Sequence, residues 1–194
     1  MRYSSEHKAH TRERVLKEAA ASLRANGPDR VGIADVMKRA GLTHGGFYAH
    51  FKSRDDLLTE AVGAMFKDRY DLFFSDIDIV DPRVGLQRFV DNYLSVRHRD
   101  ARDTGCPIPI LAGDVHRLPE GARSRFDRAV HNLTDGIVVL LERAAIESPR
   151  SRAIAAVAEM VGAIAVARTL ADDAESSALL QIAKASVEAK LGLR

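Results

Sequence analysis

The residues with the clearest chemical potential lie close together between positions 43 and 52. Tyr48 and His50 can each donate a hydrogen bond to a phosphate oxygen, and Lys52 adds a positive charge that attracts phosphate. Phe47 and Phe51 are four residues apart, so on a helix both are predicted to face a hydrophobic core. Tyr48 and His50 are then expected to project outward. The pattern indicates a short element with one apolar anchoring face and one phosphate-binding face.

The residues before this element predict how it is positioned. Ile33 to Ala40 has the apolar spacing of a short helix, and Gly41-Leu42-Thr43 follows as a tight turn. We expect Gly41 to end the first helix in the left-handed conformation and Thr43 to cap a second helix, 44–51. This is the helix-turn-helix pattern, whose second helix enters the major groove of DNA. Gly45 and Gly46 either let the backbone approach DNA closely or simply belong to the turn.

These residues carry a family resemblance. The run from Thr11 to about Val62 resembles the DNA-binding domain of TetR-family regulators, most closely in GFYAHFKSRDDLL at 46–58. One departure is Gly32, where the family often has threonine. The resemblance implies base or backbone contacts from the recognition residues and phosphate contacts from the residues around them. The implied DNA-binding set is Thr11, Thr43, His44, Gly45, Gly46, Tyr48, His50 and Lys52.

Charge and composition agree with a DNA-binding head on a larger body. Residues 1–55 hold 11 of the 29 Lys and Arg but only 6 of the 27 Asp and Glu, whereas the remainder carries an acidic excess. A small basic module suggests nucleic-acid binding. The single cysteine, Cys106, excludes an intramolecular disulfide and a thiolate-rich metal site, so we expect no metal, no cofactor and a reducing cytoplasm. The N-terminal residues lack an apolar signal core, and the most apolar run, 153–167, is too short to cross a bilayer.

Helical patterns continue through the rest of the chain. Apolar stripes and Pro, Gly and Ser boundaries predict helices at 11–25, 54–73, 82–98, 107–117, 119–146, 149–170 and 174–191. No strand pattern is found, so the predicted class is all-α with about nine helices. We predict a three-helix DNA-binding domain at 1–54 and a larger helical bundle at 55–194.

The TetR resemblance implies that the larger domain dimerises and binds a small effector. The helix 149–170 is rich in Ala and Gly, which allow close helix packing. We therefore expect a homodimer through 149–170 and 174–191, although packing within one subunit is the alternative. A mostly apolar pocket is expected between the central helices, for a lipophilic or aromatic effector. Its candidate residues are Phe66, Tyr70, Phe73, Phe89, Tyr93, Arg97, Cys106, His116, Phe126, His131 and Met160.

Three alternatives stay open. Cys106 stands before a predicted helix start, where a thiol can become reactive, so it is either an oxidant or electrophile sensor or a small buried residue. An enzyme could pair Cys106 with His98 or His116 as nucleophile and base, but no P-loop or H-E-x-x-H motif supports catalysis and we expect none. The third alternative is a constitutive architectural or adaptor protein that binds no ligand. The expected function is a repressor that binds a palindromic operator as a dimer, although sequence does not separate repression from activation.

Overall fold

The computed structural model describes residues 2–74 and 81–193, with side chains described for residues 6–67, 74 and 81–193. Nine α-helices occupy these ranges, and 3-10 turns complete the folded elements. The helices are α1 (Arg2–Asn26), α2 (Ile33–Arg39), α3 (Arg54–Phe74), α4 (Pro82–Tyr93), α5 (Val96–Asp100), α6 (Ile108–Leu111), α7 (Glu120–Arg143), α8 (Pro149–Ala167) and α9 (Asp173–Lys190). The 3-10 segments are Pro28–Arg30, His44–Ala49 and Ala112–Arg117. The all-α class is confirmed.

Two predicted helices take a different form. The stretch predicted as one helix over 82–98 divides after Tyr93, because the Ser95 hydroxyl accepts a hydrogen bond from the His98 N–H at 3.1 Å and caps α5. The stretch predicted as a helix over 107–117 is a single α-turn, α6, followed by a 3-10 segment. In both places the apolar spacing is that of a helix, but local capping and turn geometry interrupt the helix.

Contacts divide the chain into two compact units. The first contains Met1–Lys67 together with Leu111–Arg128, and the second contains Asp68–Ile110 together with Ala129–Arg194. The helices α3 and α7 therefore contribute residues to both units.

The first unit has its core between α1, α2 and the first part of α3. Val15, Leu23, Val36, Met37 and Leu57 are among its fully buried side chains. The start of α3 is held by a reciprocal cap, since Ser53 accepts from the Asp56 N–H at 3.1 Å and Asp56 accepts from the Lys52 N–H at 2.9 Å. The acidic first turn of α3 also suits the positive end of the helix dipole.

The second unit is a helical bundle in which α8 packs along α9, and α4 packs against both α5 and α9. Asp81 caps α4 and Asp172 caps α9 by accepting two backbone N–H groups each. A row of aromatic rings runs through this unit, with Phe74 stacked on Phe89 at 5.6 Å and Phe89 5.7 Å from Tyr93. In the described ranges, no helix combines the length and apolar character that a bilayer crossing requires.

Candidate nucleic-acid interface

The turn that follows α2 has the geometry that its sequence predicts. Gly41 adopts φ +70°, a left-handed conformation that glycine accepts without strain. The Gly41 N–H donates to the Lys38 carbonyl at 3.0 Å and the Leu42 N–H donates to the Met37 carbonyl at 2.9 Å. This bond pair is the Schellman motif, which satisfies the last carbonyls of a helix and reverses the chain. The prediction for Gly41 is confirmed.

The segment after this turn, His44–Ala49, is called here the reading segment. It is a 3-10 helix rather than the predicted α-helix, with the His50 N–H donating to the Phe47 carbonyl at 2.9 Å. Thr43 does occupy the predicted N-cap position, with an extended backbone, but its side chain makes no capping hydrogen bond in the described residues. The Thr43 carbonyl, not its hydroxyl, accepts the Gly46 N–H at 3.1 Å. Two consecutive glycines favour the α-helix poorly, and a tight six-residue segment fits the 3-10 form.

Two phenylalanines anchor the reading segment to the core of the first unit. Phe47 is completely buried and Phe51 is 2% exposed, and their rings stack with centroids 5.6 Å apart. The predicted apolar face is therefore confirmed. Tyr48 is 67% exposed and meets Phe47 edge-on at 5.2 Å, so its ring is supported on one side while its surface faces outward.

The other predicted DNA-binding residues fall into three groups. Thr43, His44, Gly45 and Lys52 are exposed beside Tyr48, whereas Gly46 and His50 are half-buried. Thr11 is only 6% exposed and points into the unit, so its hydroxyl is poorly placed to reach a phosphate. A Cβ added at Gly45 would meet nothing within 4 Å, which leaves its backbone open to close approach. Thr43, His44, Gly45 and Lys52 are thus accessible on either side of Tyr48 along the chain.

His50 differs from its exposed neighbours in its electrostatics. Burial lowers the pKa of His50, and the positive charges of Lys8 and Arg12 lower it further. The imidazole is therefore held in its neutral form near neutral pH, and its buried Nδ1 makes no hydrogen bond within the described residues. A neutral imidazole can still donate one N–H to a phosphate. Lys8 and Arg12 place additional positive charge next to it.

Sequence reasoning missed the arginines that hold this interface in place. Arg14 donates to the Ala40 carbonyl at the end of α2, and Arg54 donates to the carbonyls of Val31, at 2.9 Å, and Pro28. Arg12 lies over the Phe51 ring, 4.9 Å from its centroid, and forms an ion pair with Glu60 at 3.3 Å. These partners are 23 to 48 residues away in the sequence, so no local pattern could have revealed them.

The residues predicted to line an effector pocket are divided between the two units. In the first unit, Phe126 is buried and meets Phe66 edge-on at 5.2 Å, while His116 is exposed. In the second unit, the buried candidates are Phe89, Tyr93, Cys106 and Met160, and the exposed candidates are Arg97 and His131. The side chains of Tyr70 and Phe73 lie outside the described part of the chain.

Cys106 is 3% exposed in the second unit and is held by His98. The His98 Nε2 accepts the Cys106 backbone N–H at 2.9 Å, so its Nδ1 carries the proton and donates to the Tyr93 carbonyl at 2.7 Å. Because the Nε2 lone pair is used in this bond, it is not available to deprotonate a thiol. This geometry favours a packing role for Cys106 over a cysteine–histidine catalytic pair.

A polar cleft of about 110 Å³ lies elsewhere in the second unit, where α5 ends and α9 begins. Arg99, Arg102 and Arg168 line it together with Asp100 and Asp173. Arg99 is already paired with both carboxylates, at 2.7 and 3.2 Å, and Arg168 donates to the carbonyls of residues 98 and 99. The arginines of this cleft therefore mainly connect the ends of α5 and α8 to the start of α9.

The helix-turn-helix geometry, its outward polar surface and the helical body together define a DNA-binding regulator. Residues 15–61 match the family model described as bacterial regulatory proteins, tetR family. No curated protein sequence matches the chain. The N-terminal part of the chain thus carries the tetR-family DNA-binding domain, and the whole chain shares its fold with solved TetR-family structures.

Three of these structures show how far the fold extends. Reduced NemR from E. coli is 20% identical, with 93% of this chain and 97% of that chain covered and a TM-score of 0.81. A TetR-family regulator from Agrobacterium tumefaciens is 21% identical, with coverage of 92% and 98% and a TM-score of 0.78. A TetR regulator from Chloroflexus aurantiacus is 22% identical, with 96% of each chain covered and a TM-score of 0.78. At these identities the likeness establishes the fold.

Proposed function

We propose that this protein is a transcriptional repressor that binds a palindromic operator as a homodimer and releases it when a small, mostly apolar effector binds. The observation that carries the DNA-binding part is the two-faced reading segment. Phe47 and Phe51 are buried, while Tyr48 is 67% exposed next to His44 and Lys52. A rigidly anchored segment with exposed donors suits readout of base edges and phosphates in the major groove.

Within this proposal, residues 1–54 form the DNA-binding domain, and the contacting residues are Thr43, His44, Gly45, Gly46, Tyr48, His50 and Lys52. Thr11 is replaced in this set by the charged residues near it, Lys8 and Arg12, because its own side chain is buried. Lysine and arginine supply the sequence-independent part of the affinity, and the reading segment supplies the selectivity.

An apolar stripe supports the homodimer. Along α8, Ile154, Ala158, Gly162 and Val166 are all exposed at four-residue spacing. A Cβ added at Gly162 would meet nothing within 4 Å, so this position is open to close approach by another helix. On α9, Ile182 is 72% exposed. Small and apolar residues repeated along two adjacent helices suit a four-helix contact between two-fold related copies.

We assign the effector to the second unit, beside the aromatic row that includes Phe89 and Tyr93; Met160 is buried in the same unit. Aromatic rings and a methionine offer the apolar, adaptable surroundings that a lipophilic ligand requires. A panel of hydrophobic metabolites tests this part by thermal unfolding, since a ligand that binds only the folded state raises the melting temperature. An architectural DNA-binding protein gains no stability from any member of the panel.

Selection of bound duplexes from a random pool tests the DNA-binding part. We expect an enriched palindrome whose half-sites are about 34–36 Å apart, because each subunit of a two-fold dimer presents one reading segment. Enrichment of a single half-site would contradict the dimer, and no enrichment over the input pool would contradict sequence-specific binding. A reporter gene placed behind the enriched site then separates repression from activation.

A further inference from the structure

A carboxylate on α3 is shared by arginines from two other helices of the first unit. Glu60 Oε1 accepts from Arg125 Nη2 of α7 at 2.5 Å, and Glu60 Oε2 lies 3.3 Å from Arg12 Nη2 of α1. All three side chains are between one quarter and two fifths exposed. A single carboxylate therefore connects α7 with α1 through its two oxygen atoms.

The link continues from Arg12 to the end of the reading segment. The Arg12 guanidinium lies 4.9 Å from the Phe51 ring centroid, within the range of a cation–π interaction. Phe51 in turn stacks on Phe47, the buried anchor of the reading segment. Glu60, Arg12, Phe51 and Phe47 thus form one series of contacts that ends at the reading segment.

The contact between α3 and α7 is built for close approach around Glu60. Arg125 crosses α3 at Gly63, where an added Cβ would lie 3.2 Å from Arg125 Cδ and closer still to its guanidinium. A Cβ added at Gly121 of α7 would lie 2.9 Å from Thr59 Oγ1. The absence of side chains at these two glycines brings the helices together and lets Arg125 reach Glu60.

We propose that Glu60 is a positioning residue that couples α7 to the reading segment, by holding Arg125 with one oxygen and Arg12 with the other. A displacement of α7 at Arg125 reaches Glu60, because the two side chains share a hydrogen bond. When Arg125 shifts, the attraction between Glu60 and Arg12 changes. The position of Arg12 over the Phe51 ring changes as a result, and so does the orientation of Phe51. The inference rests on the proposed DNA-binding function and names the residues through which that function is regulated.

The test uses the full-length protein, the duplex enriched by selection and a scrambled duplex of equal length. Glu60→Gln keeps the side-chain shape but removes the charge that orients Arg12, so we expect the ratio of specific to non-specific affinity to fall by about fivefold. Glu18→Gln is the matched control, because Glu18 pairs with Arg39 at 3.5 Å and so joins α1 to α2 and not to α7. If Glu60 acted only through net charge, both duplexes would be affected equally and the ratio would not change.

Reciprocity supplies a second readout that needs no effector. If the reading segment and α7 are coupled, binding of the enriched duplex alters amide hydrogen exchange in residues 111–128. We expect this change in the wild type, Glu18→Gln and Arg125→Lys, and its loss in Arg125→Gln and Glu60→Gln. A response of wild-type size in Glu60→Gln, or no response in the wild type, would overturn the proposal. Failure of the proposed function itself is recognised separately, since no duplex is then enriched.

Discussion

The side chain of Ile182 on α9 is 72% exposed in the single chain, which gives a direct test of the proposed dimer. Ile182→Ala removes three side-chain carbons, each worth about 0.8 kcal/mol when fully buried, or about 2.4 kcal/mol in total. Scaling by the exposed fraction gives about 1.7 kcal/mol per subunit if a partner covers the residue. In a two-fold interface the residue occurs twice, so the loss is about 3.4 kcal/mol per dimer.

A loss of that size raises the dimer dissociation constant by more than about 100-fold, because each 1.4 kcal/mol corresponds to a factor of about ten. Sedimentation over a range of protein concentrations measures this constant directly. The stability of the isolated subunit is expected to change by no more than about 0.5 kcal/mol, since the substitution is at an exposed position. Dimerisation and folding are thereby separated in one variant.

The matched control is Val139→Ala on α7, where the valine is 40% exposed but lies outside the proposed interface. Like Ile182→Ala, Val139→Ala replaces a β-branched residue by alanine within a long helix, so the gain in helix propensity is similar for the two substitutions. An unchanged dissociation constant for Ile182→Ala would refute the assignment of α9 to the interface. Equal weakening by both variants would show that the effect is not specific to that face.

Three further predictions concern the proposed DNA-binding residues, the pH dependence of stability, and Cys106. Tyr48→Phe combined with Lys52→Ala should weaken operator binding and lower the salt slope by about one unit, because one hydrogen bond and one phosphate contact are lost. Dimerisation and melting temperature should not change. The lowered pKa of His50 means that the unfolded chain binds a proton more readily than the folded one. Stability is therefore lost as pH falls below about 6.5, and urea unfolding from pH 7 to pH 5 should show a shallower loss for His50→Gln. Cys106 is 3% exposed, so its alkylation should be slower than that of a cysteine peptide by about two orders of magnitude, since reaction requires local opening.

Each of these predictions has an outcome that contradicts it. Unchanged operator affinity in the double variant, measured at one salt concentration, would remove Tyr48 and Lys52 from the interface. His44→Gln is the matched histidine substitution, and an equal effect in that variant would show that the burial of His50 is not the cause of its effect. A peptide-like alkylation rate that rises between pH 6 and 8 would favour the sensor alternative for Cys106.

The parts of this molecule that sequence predicts well are those set by neighbours along the chain. The left-handed Gly41, the Ser53 cap and the buried pair Phe47 and Phe51 all follow from spacing and residue type within a few positions. The break before α5 is also local, but a serine inside an apolar stripe is compatible either with one continuous helix or with the cap of a new helix. Only the folded chain shows that the Ser95 hydroxyl accepts a backbone N–H.

Contacts between distant residues could not be predicted in the same way. Lys8 and Arg12 reach His50 from about 40 positions earlier in the sequence, and Glu60 meets Arg125 across 65 positions. A half-exposed arginine has many possible carboxylate partners, each worth little by itself, so charge pattern does not select one. The selection is made by packing, as the close approaches at Gly63 and Gly121 illustrate.

The reading segment depends on contacts outside its own hydrogen bonds more than an ordinary recognition helix would. It has six residues, two of them adjacent glycines, and 3-10 rather than α-helical hydrogen bonds, so it has little stability of its own. Its conformation is imposed by the Phe47–Phe51 stack on one side and by the Gly41 turn on the other. A small displacement of the residues that anchor this segment can therefore reorient it, because its own few hydrogen bonds do not resist the change. Under the proposed function, that dependence gives Arg12 and Glu60, at the edge of the interface, influence over how Tyr48 is presented to DNA.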